Sequence, residues 1–228
     1  MTFQSAAQQP IVMDFHRLRI EAERPLAFED GVRLRGFYGS SYRHLPAMEQ
    51  FIKDSAIYRY PRMQYKAVDG SGVILGFDKA AEVLRTLPLP EALRIGKDMV
   101  AVTGIKSEDS TCSWGLAEAP RRYKFLTPWL CLDKNGLDKY FRLKRRDPQV
   151  FFLEDLLVKN ILHVSRALGY QVPGTVEARI CELKPVTIED GDAPTMGFRC
   201  ECEVNFQIPD GLGIGLEVAR GYGTVEGI

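Results

Sequence analysis

The first half of the chain alternates between strand-like and helix-like patterns of apolar residues. Apolar and polar side chains alternate from Ile11 to Glu23, and this period of two predicts a half-buried strand. From Gly31 to Tyr42 the apolar residues fall at roughly helical spacing, with arginines between them. That segment is predicted to be a short basic helix that leads into His44.

A hairpin and a second helix are predicted next. The apolar runs Tyr58–Val68 and Val73–Phe77 are separated by Asp69-Gly70-Ser71-Gly72, and Asp-Gly between two apolar runs is typical of a hairpin turn. Asp78 is predicted to cap a short helix, and Ala92–Gly104 is another strand-like run. The resulting order is strand, helix, strand, strand, helix, strand, which is that of a ferredoxin-like domain.

The second half repeats this order more loosely. Strands are predicted at Tyr123–Leu132, Gly174–Pro185 and Phe198–Ile208. Asp147-Pro148 opens the longest predicted helix, because proline fits the first helical position, and Gly169 ends it. Its apolar face consists of Leu153, Leu157, Ile161, Val164 and Leu168. The sequence therefore predicts an α+β protein with two ferredoxin-like domains, at residues 1–110 and 111–228.

The cysteines are interpreted as reduced core residues. Alternation in the last strand turns one set of side chains inward, namely Phe198, Cys200, Cys202, Val204 and Phe206. The chain has five cysteines and no Cys-x-x-Cys pair. Because a zinc site needs further Cys or His ligands at suitable spacing, no metal and no cofactor are predicted.

Glycines cluster between Gly211 and Val225, at positions 211, 213, 215, 221 and 223. The segment is neither a nucleotide phosphate loop nor a dinucleotide fingerprint, because it lacks the Gly-Lys-Ser/Thr ending and the strand-turn-helix unit. One interpretation is a loop that offers bare N–H groups to a phosphate backbone. The other is a glycine-rich hairpin without a ligand.

Composition narrows the function classes. Hydrophobic residues make up 45% of the chain and charged residues 26%, which is typical of a folded globular protein. No apolar run reaches the ~18 residues that a membrane span needs, and the first ten residues lack the features of a signal peptide. A cytoplasmic protein is expected. The formal net charge of zero argues against a surface that is basic throughout but leaves room for a local basic groove.

Several segments together resemble a known family. They are Tyr58–Lys66, Pro128–Leu130, Leu157–Leu162 running on to Ala167–Tyr170, Asn205–Pro209 and Gly213–Val225. In this order and spacing they resemble the CRISPR-associated endoribonucleases that process repeat RNA, which belong to the RAMP superfamily. The resemblance implies tandem ferredoxin-like domains with a C-terminal glycine-rich loop. It also implies metal-independent cleavage of precursor CRISPR RNA, with repeat RNA as partner, and either a homodimer or contacts with other CRISPR-associated proteins.

Such cleavage needs a base, an acid and a group that stabilises charge on the phosphate. Histidine serves as acid or base because its charge changes near neutral pH. The resemblance places the catalytic histidine after the first helix, so His44 is the first candidate and nearby Tyr42 an accessory one. His16 in the first strand is the second candidate. The family commonly has a His-Asn-His type cluster in this region, nearer the Tyr-Arg-Tyr-Pro motif, whereas the stretch His44–Phe51 contains one histidine. For both histidines a purely structural or surface role is the alternative.

RNA-binding candidates lie in three regions: Arg35 and Arg43 near the first helix, Lys159 and His163 on the long helix, and Gly213, Gly215, Arg220, Gly221 and Gly223 in the glycine-rich segment. The family often has Lys-Ser where this chain has Leu216-Glu217. Other cations that could contact RNA are Arg121, Arg122, Lys124, Lys144, Arg145 and Arg146. Tyr58, Tyr60 and Tyr65 could stack on unpaired bases, or pack within the sheet.

Three functions remain open at this point. The first is processing of CRISPR RNA to 2′,3′-cyclic phosphate ends. The second is an inactive RNA-binding or scaffold subunit of a CRISPR complex. The third is a ferredoxin-like module that binds a protein or a small ligand.

Overall fold

A computed structural model describes residues 9–55, 60–189 and 194–228. The strands are β1 Ile11–Ala22, β2 Met63–Val68, β3 Ser71–Phe77, β4 Ala92–Ile95, β5 Asp98–Phe125, β6 Ala178–Ile188, β7 Thr195–Gln207 and β8 Val225–Gly227. The helices are α1 Asp30–Ser41, α2 Pro46–Ser55, α3 Lys79–Thr86, α4 Lys134–Arg142 and α5 Arg146–Ala167, and a 3₁₀ turn spans Val218–Arg220. No helix within these ranges is long and apolar enough to cross a membrane.

The strands form one antiparallel sheet in which β5 is shared by both halves of the molecule. Its order is β2-β3-β1-β5-β7-β6, with β4 and β8 also paired to β5. The order β2-β3-β1-β5 is that of a ferredoxin-like domain, and β6-β7-β5-β8 repeats it. In the second half the glycine-rich segment takes the place of the second helix. The predicted α+β, tandem ferredoxin-like fold is confirmed.

The 28-residue strand β5 is long enough to serve both halves. It pairs with β1 between Val102 and Trp114 and with β7 between Gly115 and Lys124. The boundary predicted after residue 110 therefore falls inside a strand that the two halves share, and the division into two domains stays a prediction.

The sheet carries a hydrophobic core on each face. In β1, Met13 and Phe15 pack into the core that contains helix α5. Leu18 and Ile20 of the same strand pack into the core that contains helices α1 and α3. Because successive side chains of a strand point to opposite faces, the two cores lie on opposite sides of the sheet. We call these sides the α5 face and the α1 face.

Several predicted elements are confirmed with small shifts. Helix α1 and strand β1 lie where the periodicity placed them, and α5 ends before Gly169, whose φ is +76°. The side chains of β7 that were predicted to point inward, from Phe198 to Phe206, are buried. The hairpin turn is shorter than expected, because Asp69 and Gly70 alone have positive φ and β3 already begins at Ser71.

Other local predictions were wrong. Asp78 precedes α3, but its side chain makes no capping hydrogen bond and forms an ion pair with Arg62 instead. The strand expected to reach Leu132 ends at Phe125, and Trp129 then forms an isolated bridge with Phe198. Strand β6 begins at Ala178 rather than Gly174. Helices α2 and α4 were not predicted, and Tyr58 lies outside the described residues.

The start of α1 is held by a buried carboxylate. Asp30 is 1% exposed and accepts hydrogen bonds from Arg33, Arg24 and the N–H of Ala27 at 2.6, 3.0 and 3.0 Å. Burial by itself would raise the pKa of Asp30, but the hydrogen bonds from Arg33, Arg24 and Ala27 outweigh it and hold the pKa below its ordinary value.

This carboxylate leads to a pH-dependent expectation. A carboxylate whose pKa is lowered by folding stabilises the protein above its unfolded pKa, and that stability is lost as the pH falls through the folded pKa. Asp30→Asn is therefore expected to lower the free energy of unfolding by about 1–2 kcal/mol at pH 7, and by much less below pH ~4. Urea unfolding at both pH values checks this, with the exposed neighbour Glu29→Gln as control. Equal effects of the two substitutions at pH 7 would contradict it.

Candidate functional site

His44 lies in the turn between α1 and α2. Helix α1 ends at Ser41, and the N–H of Leu45 donates to the carbonyl of Tyr42, which turns the chain toward α2. His44 is exposed. It lines a surface depression together with Ser40, Arg43, Glu49, Ile52 and Lys53. The imidazole is thus accessible to a large substrate.

The depression around His44 is rich in cations. Lys53 forms an ion pair with Glu49 at 2.8 Å, and first the Lys53 ammonium and then the more distant Arg43 guanidinium hold the pKa of Glu49 below its ordinary value. From β4, the Arg94 guanidinium donates to the Ser40 hydroxyl at 3.1 Å. Two helices and a strand therefore bring arginine and lysine side chains around one exposed histidine, an arrangement suited to a phosphate.

His16 is buried and hydrogen-bonded within the fold. It is 4% exposed, and its Nδ1 lies 2.8 Å from the carboxylate of Asp109. Its Nε2 lies 3.3 Å from the Ser107 hydroxyl. Asp109 in turn accepts from Arg85 of α3 at 2.7 Å, and both partners hold the pKa of Asp109 low, His16 first. Since both ring nitrogens already have partners beneath α3, His16 is not presented to a substrate.

The predicted tyrosines lie in the core. Tyr42 is 9% exposed, its ring lies 5.1 Å from that of Tyr38, and burial raises its pKa. Tyr60 donates to the carbonyl of Gly213, and Tyr65 donates to the sulfur of Met63. Both tyrosines are buried. Of the two roles that the sequence left open, they therefore have packing within the fold and not stacking on unpaired bases. Burial likewise raises the pKa of each.

The predicted RNA-binding cations are divided between the two faces of the sheet. Arg35 and Arg43 are exposed on and beside α1, with Arg35 close to Tyr65. Lys159 and His163 are exposed on α5, which packs on the opposite face. Arg43 is therefore exposed beside its chain neighbour His44, whereas Lys159 and His163 lie on the other side of the sheet.

Several N–H groups of the glycine-rich segment are hydrogen-bonded within the fold and are not the bare donors that the sequence suggested. The N–H of Gly213 donates to the Gln64 side chain at 3.0 Å. The N–H groups of Gly221 and Gly223 donate to the carbonyls of Val218 and Pro128. These three donors are already satisfied, and Gly215 is half-buried. Arg220 lies 3.6 Å from Glu217.

Of the other candidate cations, two are paired with carboxylates, whereas Arg121, Lys144, Arg145 and Arg146 are exposed. Arg122 and Lys124 form ion pairs with Glu201 and Glu226, both at 2.9 Å. Cys200 and Cys202 are buried as predicted, and burial raises the pKa of both thiols, that of Cys202 to about 12. Within the described ranges no group of three or more His, Cys, Asp and Glu side chains is arranged to hold a metal ion.

Family comparisons agree with this architecture. A family model described as the Cas6b N-terminal domain matches residues 12–111, and one described as the Cas6b C-terminal domain matches residues 115–228. The chain belongs to the Cas6b family. The resemblance to CRISPR-associated RAMP proteins that the sequence motifs indicated is thereby confirmed.

Solved Cas6b structures are similar over nearly the whole chain. One crystal structure described as Cas6b has 28% sequence identity and a TM-score of 0.85, and the match covers 96% of this chain and 100% of the other. Another, described as the CRISPR RNA processing endoribonuclease Cas6b, has 28% identity and a TM-score of 0.72, covering 94% and 100%. An uncharacterised protein of Methanocaldococcus jannaschii is 37% identical over 112 residues, which are 49% of this chain and 76% of that protein.

Sequence reasoning missed several residues of this Cas6b-family chain that matter for the site. Arg94 lies in β4 and reaches Ser40 across 54 positions of sequence, so no local spacing could have linked them. Lys53 lies in α2, a helix that was not predicted.

Proposed function

We propose that this protein cuts CRISPR repeat RNA by metal-independent acid–base catalysis in which His44 takes part. The ribose 2′-oxygen forms a bond to the adjacent phosphorus, and the bond from phosphorus to the 5′-oxygen breaks. The 2′-OH proton is removed by a base, and the leaving 5′-oxygen receives a proton from an acid. The products are a 2′,3′-cyclic phosphate and a 5′-OH end, and no atom of water is consumed in this step.

One observation carries the proposal: of the predicted catalytic residues, His44 alone is exposed. His16 is enclosed by Asp109, Ser107 and α3, and Tyr42 is packed in the core on the α1 face. An accessible imidazole can exchange a proton with the 2′-oxygen or the 5′-oxygen. Membership of the Cas6b family and likeness to a structure described as a CRISPR RNA processing endoribonuclease support RNA as the substrate.

The cations around His44 have a separate task. Negative charge on the non-bridging phosphate oxygens increases as the 2′-oxygen attacks, and nearby cations stabilise that charge. Arg43 is exposed beside His44, and Arg94 donates to Ser40, which lines the same depression. In this scheme Arg43 and Arg94 bind the phosphate and His44 moves the proton.

The proposal is tested by incubating the purified protein with repeat RNA in excess EDTA. Cleavage at one position is expected, with a product end that resists phosphatase until the cyclic phosphate is opened. A matched RNA with a 2′-deoxy sugar immediately 5′ of the mapped position removes the nucleophile and should remain intact. Cleavage of that deoxy substrate, or a requirement for added divalent metal, would exclude the mechanism.

Binding without cleavage would instead favour the inactive subunit. The inactive subunit is the second candidate because the depression contains a single histidine, His44, where cleavage needs both an acid and a base. Failure to bind RNA at low salt would exclude both and leave a module for a protein or small ligand. A homodimer and contacts with other CRISPR-associated proteins remain predictions.

A further inference from the structure

The depression around His44 contains a second group that can exchange a proton, the carboxylate of Glu49. Glu49 lies in the first turn of α2, and its N–H donates to the carbonyl of Leu45 at 2.8 Å. Ile52 and Lys53 follow at positions i+3 and i+4 on the same side of the helix, and all three side chains line the depression together with His44. Helix α2 therefore presents a carboxylate to the same depression as the imidazole.

The chemistry of the lining assigns the two proton-transfer roles. Among the described residues that line the depression, only His44 and Glu49 can accept a proton near neutral pH. The cations of the lining have no free electron pair. The Ser40 hydroxyl, which donates to the carbonyl of Phe37 and accepts from Arg94, is a very weak base. Because an ionised carboxylate has no proton to give, Glu49 is suited to be the base, which leaves the acid to His44.

The charge of Glu49 is controlled by its cationic neighbours. Lys53 lies 2.8 Å from the carboxylate, and first Lys53 and then Arg43 hold the pKa of Glu49 below its ordinary value. The carboxylate is therefore ionised at any pH above about 5. A phosphate bound in the depression attracts these cations and adds a negative charge of its own. Both effects raise the pKa of the carboxylate in the complex and make it a stronger base.

The ion pair between Glu49 and Lys53 is not needed by the fold. Both side chains are more than half exposed, and an exposed ion pair of this kind contributes little to stability. Lys53 donates to one carboxylate oxygen, Oε1, and a carboxylate has a second oxygen that can accept a further hydrogen bond. A ribose hydroxyl can thus reach the carboxylate while the ion pair is still in place.

We propose that Glu49 is the general base of the cleavage step and that His44 is its general acid. Glu49 takes the proton of the ribose 2′-OH while the 2′-oxygen forms its bond to phosphorus. The bond from phosphorus to the 5′-oxygen breaks, and the imidazolium of His44 gives its proton to that oxygen. Return of one proton from Glu49 to His44 through water restores the starting state. The inference rests on the proposed function, because it names the second proton-transfer group of the same site.

The first test is Glu49→Gln, which removes the base and keeps the shape of the side chain. The single-turnover rate of repeat-RNA cleavage is expected to fall by at least about 100-fold. RNA affinity is expected to stay equal or to rise by up to about threefold, because a negative charge beside the phosphate is removed. Folding is checked by the Tm, which is expected to stay within about 2 °C of the wild type. A rate within threefold of the wild type would overturn the proposal.

Glu82→Gln is the matched control for Glu49→Gln. Glu82 is also an exposed glutamate in the first turn of a helix, α3, and it lies outside the depression. Its replacement should change the rate less than twofold. The conservative variant Glu49→Asp keeps a carboxylate and is expected to cleave at least about tenfold faster than Glu49→Gln. A purely structural role of Glu49 as the partner of Lys53 would instead weaken RNA binding and leave the rate at saturating protein unchanged.

A substrate with sulfur in place of the bridging 5′-oxygen separates the acid from the base. A thiolate leaves without receiving a proton, so cleavage of this substrate does not need the acid. The rate of His44→Ala is expected to recover to within about tenfold of the wild type, whereas Glu49→Gln stays at least about 100-fold slow. Recovery of Glu49→Gln with no recovery of His44→Ala would exchange the two roles and overturn the assignment.

The pH dependence of the wild-type rate is an independent measurement. With a carboxylate base and a histidine acid, the rate is level between about pH 5 and 6 and falls above about pH 7, where a histidine loses its proton. A rate that falls as the pH decreases from 7 to 5 would make His44 the base and overturn the proposal. The charged groups around Glu49 are Lys53, Arg43, His44 and, through Ser40, Arg94 of β4. Helix α2 packs against α3, but among the described residues no charged side chain of α3 lines the depression.

The outcomes distinguish this inference from the proposed function. Cleavage in EDTA that is lost in His44→Ala but kept in Glu49→Gln leaves the proposed function in place and rejects Glu49 as the base. Absence of cleavage by the wild type rejects both. Cleavage that is lost in both variants, with only His44→Ala rescued by the sulfur substrate, supports both.

Discussion

Replacing His44 with alanine is expected to lower the rate of RNA cleavage by at least about 100-fold while leaving RNA affinity within about threefold. The side chain is exposed in a depression lined by Arg43 and Lys53, so its removal takes away a proton-transfer group without disturbing the core. Single-turnover cleavage at saturating protein separates the chemical step from binding. A rate within threefold of the wild type would show that His44 is not the catalytic histidine.

His16→Asn is the matched comparison for the His44 substitution. Because His16 is buried between Asp109 and Ser107, its replacement is expected to lower the Tm while the rate per folded molecule changes less than about threefold. A rate loss in His16→Asn with unchanged Tm would reverse the two assignments. A loss of rate in both variants, with both folded, would mean that the two histidines act together.

Gly223→Ala is expected to destabilise the protein by at least about 3 kcal/mol. Gly223 has φ +66°, and a Cβ there would overlap the carbonyl oxygen of Ile214. That carbonyl belongs to the backbone of the same glycine-rich segment, whose Ile214 N–H donates to Gly223 at 2.8 Å. The backbone segments at Ile214 and Gly223 cannot move apart without breaking this hydrogen bond. The added methyl group therefore cannot be accommodated.

A graded glycine series checks the Gly223 substitution by urea or thermal unfolding. At Gly211, φ is +83° but the first contact is the end of the flexible Arg17 side chain at 3.1 Å, so alanine should cost less. At Gly36, within α1, a Cβ meets nothing within 4 Å, and alanine should stabilise the protein by about 0.5–1 kcal/mol. Equal unfolding midpoints for Gly223→Ala and the wild type would refute the close-approach argument.

Elements with strong periodicity were predictable because their signal is local. The two-residue alternation of β1 and β7 and the apolar face of α5 are read from neighbours a few positions apart. Helices α2 and α4 were missed. The end of β5 at Phe125 was missed as well.

The candidate site was predictable only in part. His44 was identified by its place after a basic helix, and the structure leaves it exposed. His16 could perform the same acid–base chemistry, and the sequence gave no sign that it is buried. Its burial depends on the pairing of β1 with β5 and on the position of α3. The glycine-rich segment was recognised as special, but the N–H groups of Gly213, Gly221 and Gly223 are hydrogen-bonded within the fold.

By itself, the sequence determined the repeated ferredoxin-like order of elements, the inward-facing side chains of β7 and α5, and the resemblance to CRISPR-associated RAMP proteins. These follow from spacing and residue type along one stretch of chain. The tertiary structure alone decided that β5 is shared, that α1 and α5 cover opposite faces, and that Arg94 of β4 reaches Ser40 of α1. The physical reason is that strand pairing joins residues far apart in the chain, and no local pattern specifies which side chains it makes neighbours.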